Sequence, residues 1–317
     1  MDYIRAGKSG LKLTKLTFGS ALTIGTESSD IEYANALIDE AWESGIRSFD
    51  TSNNYGNGNA ESLIGLSLKK YSRNDYIIST KGSWPIGESP YDKGLSRKHI
   101  LWAIEKSLGR LDLDYVDLYY AHRYDSDVPM EEIISTFNSL ISSGKIRYWA
   151  TSEWPLDALI ECHNVCEKYG FEKPVIEQFI YSFAVRKSER NGVMDFCKKM
   201  GVGMLGFSPL CQGYLTGKYR DDIPANSRIA KGNQLNYNKT ENFYLQCKSE
   251  IDFFLNVCYK YSISPISLAV QWCLQNEVYP VVGASTPGQI AEIVKGIDDQ
   301  IPFHVMEELK GFAYGLQ

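Results

Sequence analysis

Residues 49–65 read FDTSNNYGNGNAESLIG. The stretch begins apolar, passes through Asp50, Tyr55 and a pair of loop glycines, and ends in a helix-like run. Buried strand, polar loop and helix in that order form one unit of an α/β fold, provided the order recurs along the chain. It does recur. Short apolar segments rich in β-branched and aromatic residues stand at LTFGS (16–20), RSFDT (47–51), YIISTKG (76–82), VDLYYAH (116–122), RYWATSE (147–153), VIEQFIYS (175–182), GMLGFSP (203–209) and YPVVGAS (279–285). Most successive pairs lie about thirty to forty residues apart, the length of a strand, a crossover helix and two loops, so the strands are expected to be parallel. Each segment is nearly continuously apolar at first and turns polar or glycine-rich at its carboxyl end, as strands covered on both faces do.

Eight such units predict a closed (β/α)8 barrel of the TIM type, with a doubly wound open sheet as the alternative. The polar strand ends then gather on one rim. Helices are expected over 30–45, capped by Asp30 and closed by Gly45, and from Ser96 onward in SRKHILWAIEKSLGRL. Ahead of the first strand, YIRAGKSGLKLTKL turns at residues 7–10 and is expected to form a hairpin plugging the other end of the barrel. The interval between the seventh and eighth strands is about twice the usual one. It holds the polar run YRDDIPANSRIAKGNQLNYNKT, expected to be a functional loop, then helical runs over 241–261 and 264–276. The tail, PFHVMEELKGFAYGLQ, reads as a further helix. Residues 1–317 are read as a single domain.

The 317 residues are 44% hydrophobic and 23% charged with a net charge of -6, which suits a folded protein and gives no basic field for nucleic acid. The longest apolar stretches fall well short of the ~20 residues of a membrane helix, and the amino terminus lacks a hydrophobic signal core, so a cytoplasmic location is expected. Seven cysteines form no C-x-x-C pair, and the clustering of Cys162, His163 and Cys166 on one helix makes a poor tetrahedral site, so no metal is expected. GVGMLG (201–206) matches the dinucleotide pattern G-x-G-x-x-G. Here a helix precedes the glycines and a strand follows, the reverse of what cradles a phosphate, so the match is discounted.

A shared rim brings together Asp50, Tyr55, Lys81 and His122 from separate segments. Taken singly, each has an ordinary reading: a cap, a surface ring, a solvated amine, a structural imidazole. Taken with GNAESLIG, STKG, GLSRKHI, SLGRLDLDYVDLYYAHR, GKIRYWATSEW, EQFIYS, GFSPLCQGYLTGKY and GASTPGQI, the Asp50-to-Tyr55 run resembles the aldo-keto reductases over essentially the whole chain. The likeness is nearest to the branch that includes the beta subunits of voltage-gated potassium channels and related bacterial reductases. It implies the same barrel, with NADPH as cofactor and a small-molecule carbonyl as substrate.

The resemblance also implies roles. Tyr55 would be the general acid that protonates the developing alkoxide, an effect of about 10² to 10⁴-fold. Lys81 would favour its phenolate by about 1 to 3 pKa units, Asp50 would keep Lys81 charged, and His122 would orient the carbonyl. Relatives among the channel subunits carry Asn where this chain has His122, which tilts the reading toward an enzyme. An extended NADPH would cross the rim. Gly19, Ser20 and Asp50 would border it, Ser152 and Gln178 would grip the carboxamide, and Phe207 would stack on the nicotinamide. Ser208, Pro209, Leu210, Gln212, Gly213, Thr216, Gly217 and Lys218 would follow the pyrophosphate and ribose, and Arg228 would hold the 2′-phosphate through its fork. Gly283, Ser285, Gln289 and Glu292 would take the adenosine end.

Three positions depart from the family pattern: Glu153 after Ser152, Ile293 in place of an amide, and small or aliphatic groups in GSALTIG where relatives carry a Trp. Trp84 is expected to line the substrate pocket instead. Two further readings stand beside the general reductase: a slow-turnover NADPH-binding regulatory subunit, and a dedicated reductase of a keto sugar or vitamin aldehyde. Oligomeric state is open between monomer and homo-oligomer, since related proteins of this branch can be tetrameric.

Overall fold

In the computed structural model, which describes residues 1–26, 29–220, 230 and 246–312, the eight apolar segments form eight parallel strands. They are β3 (Thr17–Gly19), β4 (Ser48–Asp50), β5 (Ile77–Gly82), β6 (Val116–Ala121), β7 (Ile146–Ser152), β8 (Ile176–Ile180), β9 (Gly203–Phe207) and β10 (Tyr279–Val282). Neighbours in sequence are neighbours in the sheet, and β10 pairs with both β9 and β3, so the sheet closes. Closure excludes the doubly wound alternative and leaves a (β/α)8 TIM barrel.

Alternation along each strand separates two cores. Leu118 and Tyr120 on β6, Ala150 on β7, Ile176 on β8, Leu205 on β9 and Val281 on β10 pack together in the lumen. Their neighbours in sequence, including Tyr119, Ala121 and Trp149, pack outward against the helices in a second and larger cluster. A one-residue slip would exchange the two faces, so the apolar pattern fixes the register.

The amino-terminal hairpin pairs β1 (Tyr3–Arg5) antiparallel to β2 (Lys12–Thr14). Ala6, Leu11 and Leu13 join the lumen cluster, and the Lys8 amide donates to the Gly201 carbonyl at 2.8 Å, so the hairpin stoppers the amino end. Gly201, in the discounted glycine motif, ends helix Val193–Met200 with φ 76, and β9 follows it. The caps read from sequence are present as well: Asp30 accepts from the Tyr33 amide at 2.8 Å and Ser96 from the His99 amide at 3.3 Å.

Between β9 and β10 stand helices Lys248–Tyr261 and Pro265–Gln275, and helices Pro287–Asp298 and Phe303–Lys310 complete the chain. The expected helical start at 241 lies outside the described residues. Two motifs far apart in sequence are tied by a buried charge, because Glu61 of GNAESLIG accepts from Arg110 Nε at 2.6 Å. No helix among the described residues is long and apolar enough to cross a membrane. All seven cysteines are buried and free.

Candidate active site

The last inward position of several strands is polar, and at the carboxyl mouth those side chains meet. Asp50 ends β4, Lys81 lies near the end of β5, and His122 follows β6. Tyr55 opens a short 3-10 turn, Tyr55–Gly58, whose loop is sewn to β5 by Thr51 N donating to Ser79 O (3.0 Å) and Asn53 N to Lys81 O (3.1 Å). Gly56 adopts φ 54, and a Cβ there would overlap the Gly25 carbonyl. Two loops therefore touch backbone to backbone, which only glycine permits, and this aims the preceding phenol inward.

Lys81 is completely buried. Its ammonium is ion-paired with Asp50 Oδ1, donates to the Thr51 carbonyl at 2.9 Å, and lies 3.5 Å from the Tyr55 hydroxyl. Asp50 Oδ2 in turn accepts from Ser79 Oγ at 2.8 Å and Gln178 Nε2 at 3.2 Å. Burial pushes the Lys81 pKa down, but the charges of Asp50 and Tyr55 more than reverse it, so the amine stays protonated.

The Tyr55 phenol goes the other way from expectation. Burial raises its pKa above the usual 10, outweighing the downward pull of Lys81. The hydroxyl is therefore held as a proton donor, and the ammonium acts by receiving the phenolate once the proton has left. His122 is buried, with its pKa driven well below the usual 6.5 by burial and then by the charges of Lys81 and Arg123. A neutral imidazole results. Ser52 Oγ sits 3.1 Å from Nδ1, which leaves Nε2 as the ring nitrogen available to a ligand. Tyr55 and Trp84 each meet His122 edge-on, with centroids 6.0 and 6.2 Å away.

These groups open onto a pocket of about 1040 Å³. Of the residues singled out in the sequence, its wall holds Asp50, Tyr55, Trp84, His122, Gly19, Ser152, Gln178 and Phe207, then Ser208, Pro209, Leu210, Gln212, Gly213, Thr216 and Lys218, then Gly283, Ser285, Gln289 and Glu292. Lys81 stands behind Asp50 and Tyr55. Ser20 is buried beneath the wall, its hydroxyl donating to Asp50 O or Thr51 Oγ1, and Gly217 closes the turn Cys211–Thr216 with φ 79. Arg228 lies outside the described residues.

The wall also contains Asn54, Leu22, Ile266 and Arg123, which the sequence did not single out. Arg123 had a signal, since it stands next to His122, but a charge beyond a strand reads as solvated. Glu153 takes a structural part: at φ 57, its carboxylate accepts from the Ile180 amide at 2.6 Å and ties the end of β7 to β8. Among the described residues no cluster of three His, Cys, Asp or Glu is arranged to hold a metal.

A closed parallel barrel whose carboxyl mouth gathers a tyrosine, a buried lysine–aspartate pair and a neutral histidine defines a reductase-like class. The aldo/keto reductase family model matches residues 15–313, and the chain belongs to that family. Over 304 residues it is 36% identical to a Schizosaccharomyces pombe protein named provisionally as a voltage-gated potassium channel beta subunit, covering 92% of this chain and 87% of that one. Similar proteins of Oryza sativa subsp. japonica and Arabidopsis thaliana, named in the same provisional terms, are each 35% identical. The alignments, over 303 and 310 residues, cover 94% of this chain and 92% of each relative. Family membership supports oxidoreductase chemistry.

Proposed function

We propose that this oxidoreductase reduces an aldehyde or ketone to an alcohol with NADPH, Tyr55 acting as general acid. The observation that carries the reading is the Tyr55 hydroxyl lying 3.5 Å from a buried, charged Lys81 at the wall of a large pocket.

The pocket suits an extended dinucleotide beside a small carbonyl, standing at the upper end of the ~300–1,000 Å³ range of ligand sites. Gln212 is buried in its wall with Nε2 lacking a partner among the described residues, a donor that a polar ligand would satisfy. Ser208, Gln212 and Lys218 would hold the phosphates, Ser152 and Gln178 the carboxamide, and Phe207 the ring face. Glu292 and Gln289, in the first turns of helix Pro287–Asp298, would take the adenosine, whose phosphate side is favoured by the helix start. Arg228 is assigned to the 2′-phosphate from the sequence alone. Arg228→Ala is expected to raise the KM for NADPH far more than that for NADH, and an equal rise would remove the assignment.

When bound, NADPH supplies the hydride. Nε2 of His122 hydrogen-bonds the carbonyl oxygen and turns it toward Tyr55. The Tyr55 hydroxyl gives its proton to that oxygen as negative charge develops there, and Lys81, fixed by Asp50, stabilises the phenolate left behind. His122 is neutral at physiological pH, so it orients the carbonyl and leaves the proton transfer to the phenol.

The test is loss of NADPH absorbance across a panel of chemically varied aldehydes and ketones. Turnover with several of them is expected. A second reading is favoured by the names of the relatives: a subunit that holds NADPH tightly and turns over slowly in association with a channel. Stoichiometric bound cofactor with negligible turnover throughout the panel would replace the first reading with the second.

A further inference from the structure

Arg123 is the one guanidinium in the pocket wall among the described residues. Its two hydrogen bonds both run from Nη1, to the His122 carbonyl at 2.6 Å and to Ser152 Oγ at 3.2 Å, and neither acceptor is an anion. None of the ion pairs among the described residues involves it. The guanidinium carbon lies over the Trp84 ring, 5.3 Å from its centroid, and both residues line the pocket.

The charges at this end do not balance. Lys81 and Arg123 are cations, His122 is neutral, and the one carboxylate, Asp50, is taken by Lys81. The other carboxylate of the wall, Glu292, belongs to the first turns of helix Pro287–Asp298. That leaves Arg123 a half-buried cation at the pocket wall with no carboxylate paired to it among the described residues, open to an anionic ligand. Among the described residues the Nε and Nη2 edge of Arg123 carries no bond, and that edge matches two oxygens of a carboxylate or phosphate.

We propose that Arg123 binds an oxyanion of the substrate, so that the preferred carbonyl compounds carry a carboxylate or phosphate close to the aldehyde or ketone. Proximity follows from the chain, because Arg123 succeeds His122 and touches its carbonyl group. This rests on the reductase reading above and names the substrate class of the same site.

The test is kcat/KM for matched pairs: succinic semialdehyde against butanal, and glyceraldehyde 3-phosphate against glyceraldehyde, in wild type, Arg123→Met and Arg123→Lys. Wild type is expected to favour the charged member of at least one pair by roughly ten- to a hundredfold, the range of a charged hydrogen bond. The pair with the larger ratio tells carboxylate from phosphate. Arg123→Met should remove that preference by lowering kcat/KM for the charged member far more than for the neutral one, and Arg123→Lys should restore part of it. A wild type without preference overturns the proposal. So does an equal loss on both members of a pair, which would make Arg123 a brace for Ser152.

Should no carbonyl turn over, the reductase reading fails on its own, and binding decides the anion site. Calorimetric titration of the NADP+-loaded protein with succinate, and with its diamide as the neutral control, is expected to show succinate preferred in wild type and that preference lost in Arg123→Met. Equal affinities in the two proteins, or no succinate binding by wild type, overturn it.

Discussion

Gln178 and Glu177 are adjacent on β8 and both are buried, yet they belong to opposite electrostatic regimes. Gln178 points into the mouth and donates to Asp50, whose ion pair with Lys81 keeps that buried amine protonated. Glu177 points outward among the helices, where its Oε1 accepts from the Trp154 amide at 3.1 Å and its Oε2 has no partner among the described residues. Burial raises its pKa to about 8. His163, also in the helix layer, is pushed down to about 4, chiefly by burial. The same desolvation acts on both faces of the barrel wall. It neutralises Glu177 and His163, which lack a counter-ion, whereas Lys81 keeps its proton at the mouth because Asp50 is paired with it.

The sharpest way to separate chemistry from architecture is Tyr55→Phe, which removes one oxygen and no charge. A fall in kcat of about 10² to 10⁴-fold is expected with NADPH affinity nearly intact, and near-normal turnover would take the general acid away from Tyr55. Asp50→Asn attacks the pairing itself. It leaves a buried ammonium uncompensated, which should cost about 3–5 kcal/mol in urea unfolding along with most of the activity; unchanged stability would mean that Lys81 needs no counter-ion.

Glu177→Gln probes the neutral side. Because the folded pKa lies above the unfolded value, the stability Glu177 contributes is complete below pH ~4.5 and is lost as pH rises through about 8. The variant should therefore lose less melting temperature than wild type between pH 5 and 9, roughly a few kcal/mol of difference for a shift of this size. A parallel decline in both proteins would contradict the assignment. The smallest expected effect is on the pH profile of kcat/KM with a non-ionising aldehyde. With His122 depressed and Tyr55 raised, no limb should appear near pH 6.5, and activity should decline only above the ordinary phenol range as the donor proton is lost. A limb near neutrality would show one of them titrating in its normal place.

Much of this was written plainly in the residues. Eight apolar runs with polar ends specify parallel strands, and the ring closes because the last run pairs with the first, so Asp50, Lys81 and His122 could be placed on one rim before any coordinates. The sign of the Tyr55 shift could not be read, because it depends on how deep the hydroxyl lies against how near the amine comes, and no local pattern encodes either distance. Arg123 escaped for a related reason, since a charged residue beyond a strand looks the same in sequence whether it faces water or a cleft. Glu153 was legible only as a departure, because its tie to the Ile180 amide spans two strands and needs a left-handed backbone.

The hairpin that seats Ala6, Leu11 and Leu13 in the lumen has a consequence for traffic. With the lumen packed and its floor stoppered, no route through the barrel leads to the Lys81–Asp50 pair among the described residues, and ligands come to it from the carboxyl mouth. Both a cofactor and a carbonyl substrate would have to share that one face, so neither could be admitted through the opposite end of the molecule.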